Sequence, residues 1–200
     1  MNNIDRIFTK DPKIFADSYL QYLMNIIQNI DTKEIASFIE TLLSARKRKA
    51  TVFFIGNGGS AATASHFSND ISIGTNDYDD PFKAISLTDN VSILTAIGND
   101  FGYEEIFVRQ LRVLGQPEDV VVGISASGNS TNLLKAFEYA KKTGIKTVAI
   151  TAFDGGKLKN RADEGIHVPT CLKEYGPAED AHMILNHLVG SYLMRIVHGM

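Results

Sequence analysis

Several residues of this 200-residue chain are of types, and at spacings, that do chemistry rather than packing. His66 and Asp70 stand four apart in a segment of helical pattern, so they share one face. An imidazole and a carboxylate so placed can hold a metal; the same pair can also be a surface contact. Glu179, Asp180, His182 and His187 lie in the last long apolar stretch and supply carboxylates and imidazoles for proton transfer. Glu179 and His187 are eight apart, about 12 Å along a helix, too far to meet at one metal from one straight helix. They could meet from different subunits, or if Glu179 lay in a bent first turn. Asp180 and His187 share a face better, as do His182 and Asn186, and His182 reads as a packed or supporting histidine.

Two loops are built to meet an anion. Gly56-Asn57-Gly58-Gly59-Ser60-Ala61 has glycines that let backbone approach a ligand closely, with a helix N-terminus behind them. Ser125-Ala126-Ser127-Gly128-Asn129-Ser130-Thr131-Asn132 offers hydroxyls and amides with no charge of its own. A phosphate there would be held by hydroxyls, backbone N–H groups and a helix dipole, with no need for Lys or Arg. Neither loop carries the Gly-Lys-Ser/Thr of a Walker loop. The first matches G-x-G-x-x-A, but the acidic residue expected about 20 positions on is missing, and Asp89 lies too far along. A nicotinamide cofactor is therefore disfavoured.

The elements that must position these groups follow from periodicity. Amphipathic helices are expected over Pro12–Ile30 and Thr32–Lys49, the second capped by Asp31. Short apolar runs at Thr51–Ile55, Lys83–Leu87, Val120–Ile124, Thr147–Ile150 and Gly165–Val168 read as strands. Helices are expected between them, over Ser60–Ile73, Val91–Ile97, Glu104–Leu114, Asn132–Thr143 and Lys157–Ala162, and a last one over Pro177–Val197. Near-continuous apolar strands alternating with helices predict an α/β fold: a doubly wound parallel sheet of about five strands, with helices on both faces. Ligands of such sheets bind beyond the carboxyl ends of the strands, which is where both loops fall.

Composition narrows the classes. A net charge of −3 gives no electrostatic case for nucleic acid as a partner. Arg46-Lys47-Arg48-Lys49 sits at a predicted helix C-terminus and reads as a solvated face. No apolar run approaches the roughly 20 residues that span a bilayer, and no signal-peptide pattern opens the chain. Cys171 is the one cysteine, so an internal disulfide is impossible. These features predict a cytoplasmic protein with no membrane partner.

Gly56-Asn57-Gly58-Gly59-Ser60 with His66-Phe67, then Thr95-Ala96-Ile97-Gly98-Asn99-Asp100-Phe101-Gly102, then Gly123-Ile124-Ser125-Ala126-Ser127-Gly128-Asn129-Ser130, resemble in order the phosphoheptose isomerases, which are SIS-domain proteins. Thr151 to Lys157 and the closing helix fit as well. The resemblance implies one SIS domain over residues 1–200, with the helical segment 1–49 used in oligomerisation. It implies a homotetramer with sites at subunit interfaces, often with Zn2+, converting sedoheptulose 7-phosphate to D-glycero-D-manno-heptose 7-phosphate for lipopolysaccharide precursor synthesis. Carried over, Asn57, Gly58, Gly59, Asn99 and Asp100 would touch the sugar, and Ser125, Ala126, Ser127 and Ser130 its phosphate. His66, Asp70, Glu179 and His187 would hold the metal, with Glu179 also at the substrate.

Three positions depart from that pattern. The family has Glu at Asp70, taken as metal ligand and base; Asp is one methylene shorter, a shift of over ~1 Å, and misplacement on that scale can cost about 100-fold. It has Gln at Glu179, so Asp70 or Glu179 could be the base, with His187 the acid. It often has Thr at Ala126. The segment Glu174 to His182 also differs, which fits a divergent branch acting on a related sugar phosphate. Ser60 to Phe67 also looks like SIS adaptors that associate with the bacterial replication initiator, a non-catalytic alternative.

Overall fold

The computed structural model describes residues 2–199. Five parallel strands, β1 (Thr51–Gly56), β2 (Lys83–Ser86), β3 (Val120–Ser125), β4 (Lys146–Thr151) and β5 (Glu164–His167), form one sheet in the order β2-β1-β3-β4-β5. The helices are α1 (Asn3–Ile7), α2 (Pro12–Gln28), α3 (Thr32–Lys47), α4 (Gly59–Ser72), α5 (Val91–Phe101), α6 (Val108–Leu114), α7 (Thr131–Thr143), α8 (Gly156–Arg161) and α9 (Tyr175–Val197). This is the doubly wound α/β architecture expected from the alternating apolar runs.

The central strands are apolar on both faces because both faces are covered. Phe54, Val122 and Ile150 point into a core shared with Phe38, Phe67, Ile71 and Leu185 of α3, α4 and α9. Phe53, Ile55 and Val121 point the other way, onto Leu111, Leu133, Phe137 and Leu158 of α6, α7 and α8. Phe67 joins α4 to the sheet: its ring stacks on Phe54 at 5.2 Å and meets Phe38 edge-on at 6.1 Å.

Strand order reverses between β1 and β3, which pair directly with Gly56 opposite Ile124. The loops that leave these two strands therefore start side by side at the switch point of the sheet. They are the two loops singled out above.

Several boundaries differ from the sequence reading. Helix α1 is only five residues long, too short for its two isoleucines to show a periodicity; a reciprocal Asn2–Asp5 capping box starts it. Buried Glu174 holds it down, accepting from the Asn3 backbone N–H (2.5 Å), the Tyr22 hydroxyl (2.5 Å) and the Cys171 N–H (3.0 Å). Helix α9 begins at Tyr175, two residues ahead of Pro177, which still lies in the first turn, where a missing N–H costs nothing. Helix α5 runs on to Phe101, and a 3-10 turn at Tyr103–Glu105 separates it from α6. The break falls at Gly102, at φ 97°, a conformation that L side chains rarely adopt. The basic run is not a freely solvated face: Arg46 pairs with Asp77 and lies over Phe82, Lys49 pairs with Asp80, and Arg48 with Glu118. No described helix is long and apolar enough to cross a membrane.

Two predictions concern this framework. Phe67→Ala should cost about 3–5 kcal/mol by removing a fully buried ring between α4 and the sheet; urea denaturation measures it, and a loss under about 1 kcal/mol would deny Phe67 that role. The second concerns His182, fully buried on α9. Burial pushes its imidazole down to about 4; the Thr151 backbone opposes this only in part, and neither ring nitrogen reaches hydrogen-bonding geometry. An unfolded imidazole titrates near 6.5, so as pH falls the unfolded chain takes the proton first. The stability from keeping this ring neutral is complete above about pH 6.5 and is lost as pH falls toward about 4. Between about pH 7.5 and about pH 5 the wild type should lose about 2 kcal/mol more than His182→Leu. Equal losses in urea midpoints would assign the acid sensitivity to other groups.

Candidate active site

Two clusters form, one at the carboxyl edge of the sheet and one between α4 and α9. The first is a cleft of about 140 Å³ lined by Asn57, Ser60, Ser125, Ala126, Ser127, Ser130, Tyr175 and Glu179, with Ile124 at its floor. No Lys or Arg lines it. Its polar groups come from the two loops at the switch point and from the first turns of α9. The Ser125 hydroxyl accepts from the Gly128 N–H at 3.1 Å, and the Ser127 hydroxyl from the Asn129 N–H at 3.3 Å, so the serine loop is folded on itself. Gly128 sits at φ 60° with Gly155 against it, and a Cβ there would overlap the Gly155 carbonyl. Ser130 is the N-cap of α7 and Gly58 that of α4, and neither cap makes a side-chain hydrogen bond to its helix. Two positive dipole ends thus serve one cleft beside the uncharged serine loop, an arrangement suited to an anionic oxygen cluster.

The two loops are stitched together. Asn57 and Asn132 exchange amide hydrogen bonds at 3.0 and 2.8 Å, and the Tyr103 hydroxyl donates to Asn57 Oδ1 at 2.9 Å. Glu179 enters the cleft over Gly59, where a Cβ would overlap its carboxylate. Partial burial, reinforced by the negative charge of Asp180, pushes the Glu179 carboxyl above the usual carboxylate range. A carboxylate raised toward neutrality in a ligand cleft is suited to exchange protons with a bound molecule.

The second cluster joins α4 to α9. Asp70 Oδ2 lies 3.3 Å from His66 Nε2, and the His66 and His187 rings meet edge-on with centroids 5.0 Å apart. Ligand atoms of His66, Asp70 and His187 all fall within 4.8 Å of one another. Two imidazoles and one carboxylate are a donor set that zinc accepts, with room for a further ligand. The residues therefore fit a divalent metal of that kind.

The structure separates Glu179 from this trio. Within one chain Glu179 belongs to the cleft and not to the His66–Asp70–His187 group. This follows from α9 continuing unbroken through both residues, which leaves them about 12 Å apart along the helix. Asn99 and Asp100 are exposed near the end of α5, hydrogen-bonded to each other at 2.8 Å, and do not line the cleft of their own chain. Sequence reasoning placed Asn132 in the serine loop but missed its pairing with Asn57, and it missed Tyr103 and Tyr175. Tyr175 starts α9, so adjacency to the motif was the available signal; nothing local marked Tyr103.

The chain was compared with known proteins. The SIS domain model matches residues 15–152. The phosphoheptose isomerase of Helicobacter pylori is 38% identical over 170 residues, 85% of each chain. That of Akkermansia muciniphila is 38% identical, over 84% of this chain and 87% of its own. Among solved structures, the Neisseria gonorrhoeae phosphoheptose isomerase superposes with a TM-score of 0.80 at 29% identity, covering 89% of this chain and 96% of that one. The shared fold and the sequence match along most of the chain agree: this chain belongs to the phosphoheptose isomerases, an SIS-domain family of sugar-phosphate isomerases.

Proposed function

We propose that the chain interconverts sedoheptulose 7-phosphate and D-glycero-D-manno-heptose 7-phosphate, supplying heptose for lipopolysaccharide precursors in the cytoplasm. The observation that carries this reading is one cleft in which the partly buried carboxyl of Glu179 faces the uncharged serine loop. The phosphate would lie against Ser125, Ser127, Ser130 and the start of α7, and Ala126 contributes backbone only. Gly58, Gly59 and Asn57 border the path from the phosphate to the sugar's carbonyl end.

Aldose–ketose interconversion moves one proton between neighbouring carbons and one between their oxygens. Starting from the ketose, a base takes a proton from carbon one as the carbon-two oxygen gains one, giving an enediol. Return of a proton to carbon two, with loss of the proton from the carbon-one oxygen, leaves the aldehyde. In this reading Glu179 would take and return the carbon-bound proton, and His187, brought to the same substrate from a neighbouring subunit, would exchange the oxygen-bound one. Asp70 is then freed from the base role and serves with His66 and His187 to hold a metal. Bound there, zinc would polarise the carbonyl and stabilise the enediolate. Glu179 of one subunit could also approach the metal group of another, since α9 keeps the two apart within one chain.

A homotetramer is part of the proposal, with residues 1–49 in its interfaces. Helix α5 is strongly apolar yet buries no residue, leaving Val91 70% and Phe101 51% exposed. Ile14, Leu20 and Met24 of α2 and Tyr192 and Ile196 of α9 are also exposed. Apolar surface on this scale marks protein contact, and assembly could bring Asn99 and Asp100 to a neighbour's cleft. A related sugar phosphate is the second reading, favoured by Tyr175 and Glu179 in the cleft wall where the family pattern differs.

Two experiments test this. The protein with zinc, incubated with sedoheptulose 7-phosphate, should yield aldoheptose 7-phosphate by NMR; no conversion with any divalent metal would remove the reaction, and conversion of another sugar phosphate alone would promote the second reading. Gly59→Ala should lower kcat by about 10-fold or more by displacing the Glu179 carboxylate, a shift on a scale known to be costly. Its thermal midpoint should stay near wild type, since only the end of a flexible side chain must move. Unchanged kcat would separate Glu179 from the chemistry.

A further inference from the structure

Asn186 lies on α9 next to His187 and is completely buried. Its Nδ2 donates to Asp70 Oδ2 at 2.8 Å across the α4–α9 contact. Its Oδ1 is buried with no hydrogen-bond partner. A buried amide that leaves one end unmatched costs stability, so packing alone does not account for its presence. The end that is matched grips the same carboxylate oxygen that faces His66.

From this we propose that Asn186 is a positioning residue that aims the Asp70 carboxylate at His66 and His187; the inference rests on reading those three residues as a metal site. A short aspartate on α4 has two rotatable bonds, and one of its oxygens is already engaged by the exposed Asn69 side chain at 3.1 Å. An exposed amide holds a carboxylate weakly. A fully buried donor fixes it, because its own helix and the surrounding core hold the amide still. Space also agrees: Gly190, one turn beyond Asn186, lies against Asp70, where a Cβ would come to ordinary contact at 3.6 Å from that of Asp70. Helix α9 thus presents a small residue and a donor to the same carboxylate. The hydrogen bond from Asn186 supplies from α9 part of the orientation that a longer carboxylate on α4 could reach by itself.

The test uses cobalt(II), whose visible absorption reports binding directly. In Asn186→Leu the dissociation constant for cobalt should rise about 10- to 100-fold, the usual cost of losing a partner that orients a ligand. The thermal midpoint of the metal-free protein should hold or rise, because leucine removes an unmatched buried oxygen at similar volume. With sugar phosphate, kcat should fall while KM stays within about 2-fold, since the serine loop is untouched and uniform binding is retained. Asn186→Ala, also without a donor, should show the same cobalt loss even though a cavity lowers its midpoint. A cobalt affinity within about 2-fold of wild type in both variants overturns the inference, as does a fall in the leucine variant's midpoint that parallels the loss of affinity. Failure of the wild type itself to bind cobalt overturns the metal reading as well, and so separates the two failures.

Discussion

The packing of α4 against α9 is the contact through which all the site chemistry is arranged. Helix α4 carries His66 and Asp70, starts at the first glycine loop and is fixed to the sheet by Phe67. Helix α9 carries Glu179, Asn186 and His187 along one 23-residue rod. Because both are rigid and share a buried face through Ala64, Phe67, Ile71, Ala181, Leu185 and Val189, the distances between their polar groups are set by apolar packing. A separation of about 12 Å along α9 then assigns Glu179 to the cleft and His187 to the imidazole–carboxylate group. The helix keeps apart two functions that a single loop would have blurred.

The sheet makes a matching contribution. Strands β1 and β3 are neighbours only because the winding reverses between them, and that reversal brings a glycine loop and a serine loop together from positions some 70 residues apart. The reciprocal Asn57–Asn132 amide pair then locks one loop to the other. The serine loop carries no charge and Glu179 is the acidic side chain of the cleft, so attraction for an anion comes from peptide groups at two helix starts. Such attraction is directional and short-ranged, so it favours a ligand whose anionic end fits the loop over any passing polyanion.

Much of this was legible in the residues. Apolar runs of four or five gave the five strands, because buried parallel strands must be apolar on both faces, and Gly56 and Ser125 just after two of them marked the sites of both loops. Asp31 at the start of α3 behaved as its type predicts, accepting from the Lys33 N–H at 2.8 Å. What the sequence hid depends on distant partners. Helix α1 is held by Glu174, 171 residues away from Asn3. Tyr103 earns its place through one hydrogen bond to Asn57, and Asn186 through one to Asp70. None of these has a local signature, since a tyrosine or an asparagine on a helix or turn is ordinary until the fold brings its partner near. The basic run is largely exposed, as its position at a helix end predicts, but its acidic partners, in the segment before β2 and ahead of β3, were hidden for the same reason.

The knot around Glu174 ties the leading residues of the chain to the wall of the cleft. Its carboxylate grips the Asn3 backbone and the Tyr22 hydroxyl, while the very next residue, Tyr175, lines the ligand space. Burial, aided by that carboxylate, pushes the Tyr22 phenol up to about 12, so its proton stays in place across the physiological range. A purification tag joined at the front, or a few residues trimmed from it, would therefore tug on the first turn of α9 from a distance in sequence that conceals the link. Preparations differing only at that end are not interchangeable when turnover is being compared.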